Sequence, residues 1–314
     1  MRVLRLILCT LLCLMAGQAW ASDAVGMRSA VLPMQPKRIV VLDFLLAESL
    51  AALNVTPVGM VDPNRYREWI GYDIPRFTHV LDVGTRQQPS LEAMARLKPD
   101  LILGVTFRHA ALFDAFERIA PTVLFNFNSN DQQVNQLDHV LRVFDAVADI
   151  TDHRAAGHAV KQGLQAALAA DRARLAAAGL SGKRVAVLQE LGLQDMYWSY
   201  TTNSMAGGIA QALGLALWPH WPSKEGTTFI SSENLLNQPD LSVLLISATG
   251  PEVGLAQKLV SPIWRFVPAR TEGRIALMPR NIWGFGGPVS AATLAQHMTD
   301  ALLAAAQGQG VSPR

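Results

Sequence analysis

The chain has 314 residues, half of them apolar, so it can bury a sizeable core and is not a disordered segment. Lys and Arg number 27 against 25 Asp and Glu. That balance leaves no broad cationic face for a polyanion, and no nucleic-acid partner is expected.

Residues 1–21 read as a secretory leader. Arg2 and Arg5 open it, residues 6–16 form an apolar run too short to span a bilayer, and Ala19, Trp20 and Ala21 make a small–x–small cleavage site. Both cysteines, Cys9 and Cys13, fall inside it. The mature chain is therefore expected to carry no disulfide and no thiolate site. Leu12 rather than a small residue precedes Cys13, which argues against a lipid anchor. No later run reaches about 18 apolar residues, so the expectation is an exported, periplasmic protein.

From residue 38 strands and helices alternate. "RIVVLDF" (38–44) reads as a strand, "LLAESLAALN" (45–54) as a helix and "PVGMV" (57–61) as a short strand. Helix "LEAMARLK", strand "DLILGV", helix "ALFDAFERIA" and strand "TVLFNF" follow. Continuous apolar runs set between helices predict a mostly parallel sheet buried on both faces. The second half repeats the style, with strands "KRVAVLQE" (183–190), "LSVLLIS" (241–247) and "RIALMP" (274–279) and helices over 204–214 and 290–306. A corner of acid, short helix, Pro-Asp turn and apolar strand occurs twice, at residues 91–104 and 232–247.

Residues 151–178 lack proline and are rich in Ala, Leu, Gln and Arg, which predicts one long helix of roughly 40 Å. Thr151 or Asp152 is expected to cap its start and Gly179 to end it. The predicted fold class is α/β, with two α/β lobes of mostly parallel sheets (22–150 and 180–314) joined by a single rigid helix (151–179). Ligands of open α/β sheets bind beyond the carboxyl ends of the strands, so a cleft between the lobes is the expected site.

The loops expected there hold unusual residues: Tyr66, Trp69 and Tyr72, then Arg86, then Phe107, Arg108 and His109, then Trp218, His220 and Trp221, and Trp283 with Phe285 among glycines. Indole faces suit a bulky, partly apolar ligand, and an arginine adds a fixed fork of donors for its oxygens. Enzyme signatures are missing from the sequence. There is no G-x-S-x-G elbow and no H-E-x-x-H, and "GLSGKR" is too short for a phosphate loop.

The leader, "PKRIVVLDFLLAESLAALNVTPVG", "YREWIG", "VLDVGTRQQPSLEAMARLKPDLIL", the long helix and the late "WGFGG" together resemble the helical-backbone periplasmic binding proteins for iron-siderophores, haem and cobalamin. The pattern "DVG-x-R-x-x-P" with an upstream "Y-R-x-W" resembles the ferric-hydroxamate branch. The resemblance implies a non-enzymatic, monomeric protein that captures a ferric siderophore and delivers it to an inner-membrane ABC permease. It implies no cofactor and no metal site of its own, the iron arriving inside its chelate.

Residue by residue, Arg86 matches the arginine that hydrogen-bonds the hydroxamate oxygens, and Trp69 and Trp283 match cleft tryptophans of the two lobes. Tyr66 and Phe285 are expected beside them. A cleft tyrosine of the family falls near Phe107 or Arg108, and a second-lobe tryptophan falls on Glu225, ahead of Gly226 and Thr227. An extra carboxylate and Arg108 would favour a more polar or charged chelate. Glu92 and Glu233, at the starts of the repeated corners, match the glutamates that dock on permease arginines, although a helix dipole alone favours an acid there. The alternatives are haem or cobalamin, with Tyr66, Tyr72, His109 or His220 as haem ligands, and more remotely a secreted α/β hydrolase.

Overall fold

The computed structural model describes residues 23–190, 195–246, 259, 261–279 and 282–309. The expected leader and both cysteines lie outside the described residues, as do Ser247 at the end of the second corner and Asn281 ahead of Trp283.

Two sheets form. The first comprises β1 (Val25–Arg28), β2 (Ile39–Val41), β3 (Gly59–Met60), β4 (Leu81–Asp82), β5 (Leu101–Val105) and β6 (Thr122–Phe125), in the order β1-β6-β5-β2-β3-β4. All its pairings are parallel except that of β1 on β6. Strands β2, β5 and β6 are buried along their whole length, as their apolar runs require.

The second sheet contains β7 (Arg184–Glu190), β8 (Met196–Tyr200), β9 (Ala216–Leu217), β10 (Thr227–Ser231), β11 (Leu241–Ile246) and β12 (Ile275–Met278). Its order is β10-β8-β7-β11-β12, with β9 also on β7. Strands β8 and β10 run antiparallel at one edge, which makes this sheet more mixed than the first.

The helices that matter to the site are α1 (Phe44–Ala52), α2 (Pro63–Trp69), α3 (Leu91–Arg96), α4 (Gln136–Ile150), α5 (Arg154–Ala177), α6 (Met205–Ala212) and α7 (Pro288–Ala304). Asp43 caps α1 by accepting the Leu45 N–H at 3.1 Å. The long helix α5 is present and ends as its sequence predicts, with Gly179 at φ +71° just beyond it. Its start differs. Thr151 closes α4 instead, its hydroxyl donating to the Val147 carbonyl, and Asp152 takes a left-handed turn before α5 begins at Arg154.

The junction between the sheets is more than a strut. α4, α6 and α7 pack on α5, and α7 also reaches α1. Buried residues from Ile39 in the first sheet, Leu164 on α5, Val187 in the second sheet and Leu294 on α7 belong to one continuous cluster. Separate smaller clusters lie on the outer faces of each sheet. A shared apolar interface of this kind resists hinge opening, because opening it exposes apolar surface at roughly 25 cal/mol per Å².

The two corners are built alike. α3 is capped by Ser90, and Arg38 donates to the Leu97 and Lys98 carbonyls of the turn behind it. In the second lobe the expected helix is a 3-10 turn, Ser232–Leu235, capped by Ser231 and Asn234, and Arg274 donates to the Pro239 and Leu241 carbonyls.

Candidate ligand cleft

Arg86 is held by its own backbone. Gly84, at φ +100°, turns the chain after β4, and a Cβ there would lie 2.7 Å from the Gln88 carbonyl. The Arg86 N–H donates to Asp62 at 2.8 Å. Its carbonyl lies 2.9 Å from His109 Nε2, whose ring accepts the Val105 N–H at Nδ1. That second contact places the proton on Nε2, so the imidazole donates to Arg86. His109 is fully buried, and burial pushes its pKa down, which keeps this neutral form.

Arg86 is only 5% exposed. Its guanidinium lies 4.1 Å from the Phe44 ring centre, 5.1 Å from Trp69 and 5.9 Å from Trp283. Trp69, the last residue of α2, stacks on Trp283 at 5.3 Å, and Phe44 meets both rings edge-on. The cage therefore takes two rings from the first lobe and one from the second. Arg86 Nε stands 3.7 Å from the Asp62 carboxylate and finds no hydrogen-bond partner among the described residues. A buried cation with an unspent donor is costly unless something arrives to accept from it. Burial pushes the guanidinium pKa down, while Asp43 opposes the shift.

The aromatic surface continues along the cleft. Trp283 meets Phe285 at 5.6 Å, Phe285 stacks on Phe127 at 6.3 Å, and Phe127 meets Phe107 at 5.1 Å. Phe107 is 58% exposed and carries the Arg108 guanidinium 4.2 Å from its ring centre. Arg108 Nε is 3.9 Å from Asp43 Oδ2, and neither atom has a hydrogen-bond partner among the described residues. Burial pushes the Asp43 carboxyl up, and Arg108, the Leu45 N–H and Arg86 pull it back. The exposed Arg65 sits over the Trp69 ring, 5.6 Å from its centre. The first-lobe wall thus holds three guanidiniums, Arg65, Arg86 and Arg108, against two carboxylates, Asp43 and Asp62.

Beyond Phe285 the cleft becomes polar, with a pocket lined by Asn128, Gln136, Asn203, Lys224 and Glu225 among others. Glu225 lies there, on an exposed turn. Thr227, on β10, is not part of that lining; its carbonyl accepts from the Ser223 hydroxyl.

Tyr66 requires a correction. It is fully buried between Phe44 and Phe77, and its hydroxyl donates to the Tyr72 carbonyl, so it supports the cage from beneath rather than facing the cleft. Burial pushes its pKa up. His220 and Trp221 pack on each other at the surface. Glu92 is exposed and paired with Arg96 at 2.7 Å, and Glu233 is exposed on the second corner.

Phe44, Asp43 and Phe127, with Asp62 and Arg65, are among the cleft residues that the sequence reading passes over. Phe44 and Asp43 sit at the end of an apolar run that reads as strand. Phe127 was hidden because the expected strand "TVLFNF" includes it, whereas the strand ends at Phe125.

One contact closes the floor of the cleft. Glu48, on α1 of the first lobe, is fully buried. It accepts the N–H of Val289 at 3.0 Å and of Ser290 at 2.8 Å, together with the Ser290 hydroxyl, at the start of α7. Burial pushes its carboxyl pKa up, and the donors of Ser290, Gly287 and Val289 pull against that shift.

A family model described as "Periplasmic binding protein" matches residues 39–282. The ABC transporter substrate-binding lipoprotein YhfQ of Bacillus subtilis, itself a putative assignment, is 40% identical over 116 residues, 37% of this chain and 36% of that protein. The Fe(3+) dicitrate-binding periplasmic protein FecB of Escherichia coli is 28% identical over 249 residues, 79% of this chain and 78% of FecB. The structure of the siderophore-binding protein FhuD from Vibrio cholerae, bound to Fe3+-Desferal, superposes with a TM-score of 0.76 at 28% identity, covering 86% of this chain and 98% of that one. The two-sheet architecture and these matches agree: the chain belongs to the periplasmic binding protein family and is a binding protein, not an enzyme.

Proposed function

We propose that this protein captures a ferric siderophore of the hydroxamate type between its two lobes and delivers it to an inner-membrane ABC permease. The observation that carries the reading is Arg86, a buried guanidinium with an unspent donor in a cage of rings drawn from both lobes. Hydroxamate oxygens bound to iron are anionic acceptors, and a rigid fork of donors suits them. The rings would cover the apolar flanks of the chelate. FhuD of Vibrio cholerae, crystallised with Fe3+-Desferal, supports the assignment by likeness.

In this reading residues 22–150 and 180–314 are the two jaws and 151–179 the link. The protein acts as a periplasmic monomer, and iron travels inside the chelate as cargo, with no resident cofactor. The stack of Trp69 on Trp283 covers Arg86, so an incoming chelate must part those rings. Glu92 and Glu233 meet permease arginines, where exposed ion pairs contribute register and steering more than affinity.

A second reading is a carboxylate-rich chelate such as ferric citrate. The excess of guanidiniums over carboxylates on the first-lobe wall favours it, and FecB is a relative that binds Fe(3+) dicitrate. Of the four residues offered as haem ligands, Tyr66 and His109 are buried with their polar atoms engaged, which leaves Tyr72 and His220.

Titrating the purified protein with ferrioxamine, ferric citrate, a ferric catecholate and haem, while following tryptophan emission, separates these readings. Saturable quenching by a ferric hydroxamate alone supports the first. Quenching by ferric citrate alone replaces it with the second. A Soret shift with haem and no response to any ferric chelate would contradict both.

A further inference from the structure

We propose that Glu48 is a positioning residue of the cleft: a first-lobe carboxylate that caps the start of α7 and thereby sets Trp283 against Trp69 and Arg86. The proposal rests on the cleft described above, and three independent features carry it.

The first is the contact itself. α7 begins after Gly287, a residue with no side chain to cap a helix. Its leading N–H groups would be orphaned in a buried setting, and an anion at a helix start is favoured by the dipole. Glu48 supplies that anion from the other lobe, with one oxygen on two main-chain N–H groups and the other on the Ser290 hydroxyl.

The second is the glycine pair ahead of the helix. A Cβ on Gly286 would lie 2.5 Å from Glu48 Oε2, and one on Gly287 would lie 3.1 Å from Oε1. The backbone between Phe285 and Pro288 is therefore shaped to admit this carboxylate.

The third is spacing. Phe44 and Glu48 are one turn apart on α1, so they project from the same side of the helix. Trp283 and Ser290 lie at the two ends of the segment that meets them. Phe44 touches Trp283, Trp69 and Arg86, while Glu48 holds Ser290. The segment between is pinned at both ends to a single helix of the opposite lobe. The hydrogen bonds of Glu48 go to Val289 and Ser290 rather than to the Trp69–Trp283 stack, so it acts on the cleft through position.

The stacked indoles provide a readout. Two tryptophans at 5.3 Å give an exciton couplet in circular dichroism, identified as the difference between the parent protein and Trp283→Phe. Glu48→Ala should keep the far-ultraviolet helix signal, lose that couplet and weaken binding of ferrioxamine or ferric citrate about tenfold, the scale of one displaced aromatic contact. Glu48→Gln keeps an oxygen for the N–H groups and should restore both the couplet and most of the affinity. If Glu48→Ala does not fold, Gly286→Ala, which wedges the same contact from the other lobe, should lose the couplet in a folded protein.

A folded Glu48→Ala protein with an unchanged couplet overturns the proposal, whatever its affinity. The couplet is read without any chelate. If the parent protein bound no ferric chelate at all, the functional reading would fail while the role of Glu48 in setting the stack would still be decided.

Discussion

The first lobe presents to the cleft Arg65, Arg86, Arg108, Asp43 and Asp62, several with buried atoms that lack hydrogen-bond partners among the described residues. The second lobe presents Trp283 and Phe285, and Phe285 packs on the fully buried Tyr200, whose hydroxyl donates to Gln189 at 2.7 Å. Around Arg86 one wall holds charge in reserve, whereas the other is apolar there and turns polar only beyond Phe285, at Asn203, Lys224 and Glu225. On the proposed reading the difference divides the work around Arg86, with charge on the first lobe and shape on the second. It also explains why a shared core between the sheets matters, since charge and rings must meet at a fixed spacing.

The contrast can be broken from either side. Replacing Arg86 with Met removes the caged cation and should cost about a hundredfold in affinity, the scale of a lost hydrogen bond to a charged partner in a dry site. Emission titration reads it, and an unchanged constant would remove Arg86 from the contact surface. Trp283→Ala takes away the second-lobe ring, and a loss of roughly tenfold is expected for all chelates alike.

Arg108→Gln should act more selectively. It should weaken ferric citrate severalfold while leaving a cationic ferrioxamine little changed or improved, because only the charge of the wall has altered. Equal loss for both chelates would deny the first lobe its discriminating role.

Acid should strike the charged wall before the aromatic one. His109 anchors Arg86, His139 is likewise buried, and burial pushes both pKa values below the ordinary 6.5. The unfolded chain then binds more protons than the folded one, so stability is full above pH 6.5 and falls as pH drops through the lower folded values. The slope is at most ~1.4 kcal/mol per pH unit for each histidine. Urea midpoints at pH 7 and pH 5 measure it, and His109→Gln should reduce the difference. The smallest effect on binding is expected for Glu92→Ala with Glu233→Ala. Affinity should stay within about twofold, given the low worth of exposed ion pairs, while chelate uptake in cells falls.

Much of the architecture is legible before any coordinates. The buried strands Leu101–Val105 and Leu241–Ile246 read as continuous apolar runs, and α5 and its terminal Gly179 follow from composition. The antiparallel strands Met196–Tyr200 and Thr227–Ser231, the second at the edge of the sheet, do not, because "MYWSY" and "TTFIS" mix polar and aromatic residues and are only partly buried. Helix α4 was there to be read in "QLDHVLRVFDAVADI", an amphipathic run hidden behind a polar loop.

In the cleft, Arg86, Trp69, Trp283, Phe285 and Phe107 stand out as unusual residues after strands, and the structure gathers them along one surface. Tyr66 carried the same signal and is core, since α2 turns it inward. Glu48 gave only a faint one, a lone acid in an apolar helix. Its meaning depends on a partner more than 200 positions away, which no local pattern records.

The central claim is that a chelate seats between Arg86 and the paired indoles. An anomalous difference map at the iron absorption edge, from crystals grown with the tightest-binding ferric chelate, tests it most directly. The account predicts a single iron peak inside the cleft, with Trp69 and Trp283 parted and Arg86 donating to an oxygen of the chelate. A peak elsewhere on the protein, with the two indoles still stacked over Arg86, would contradict it.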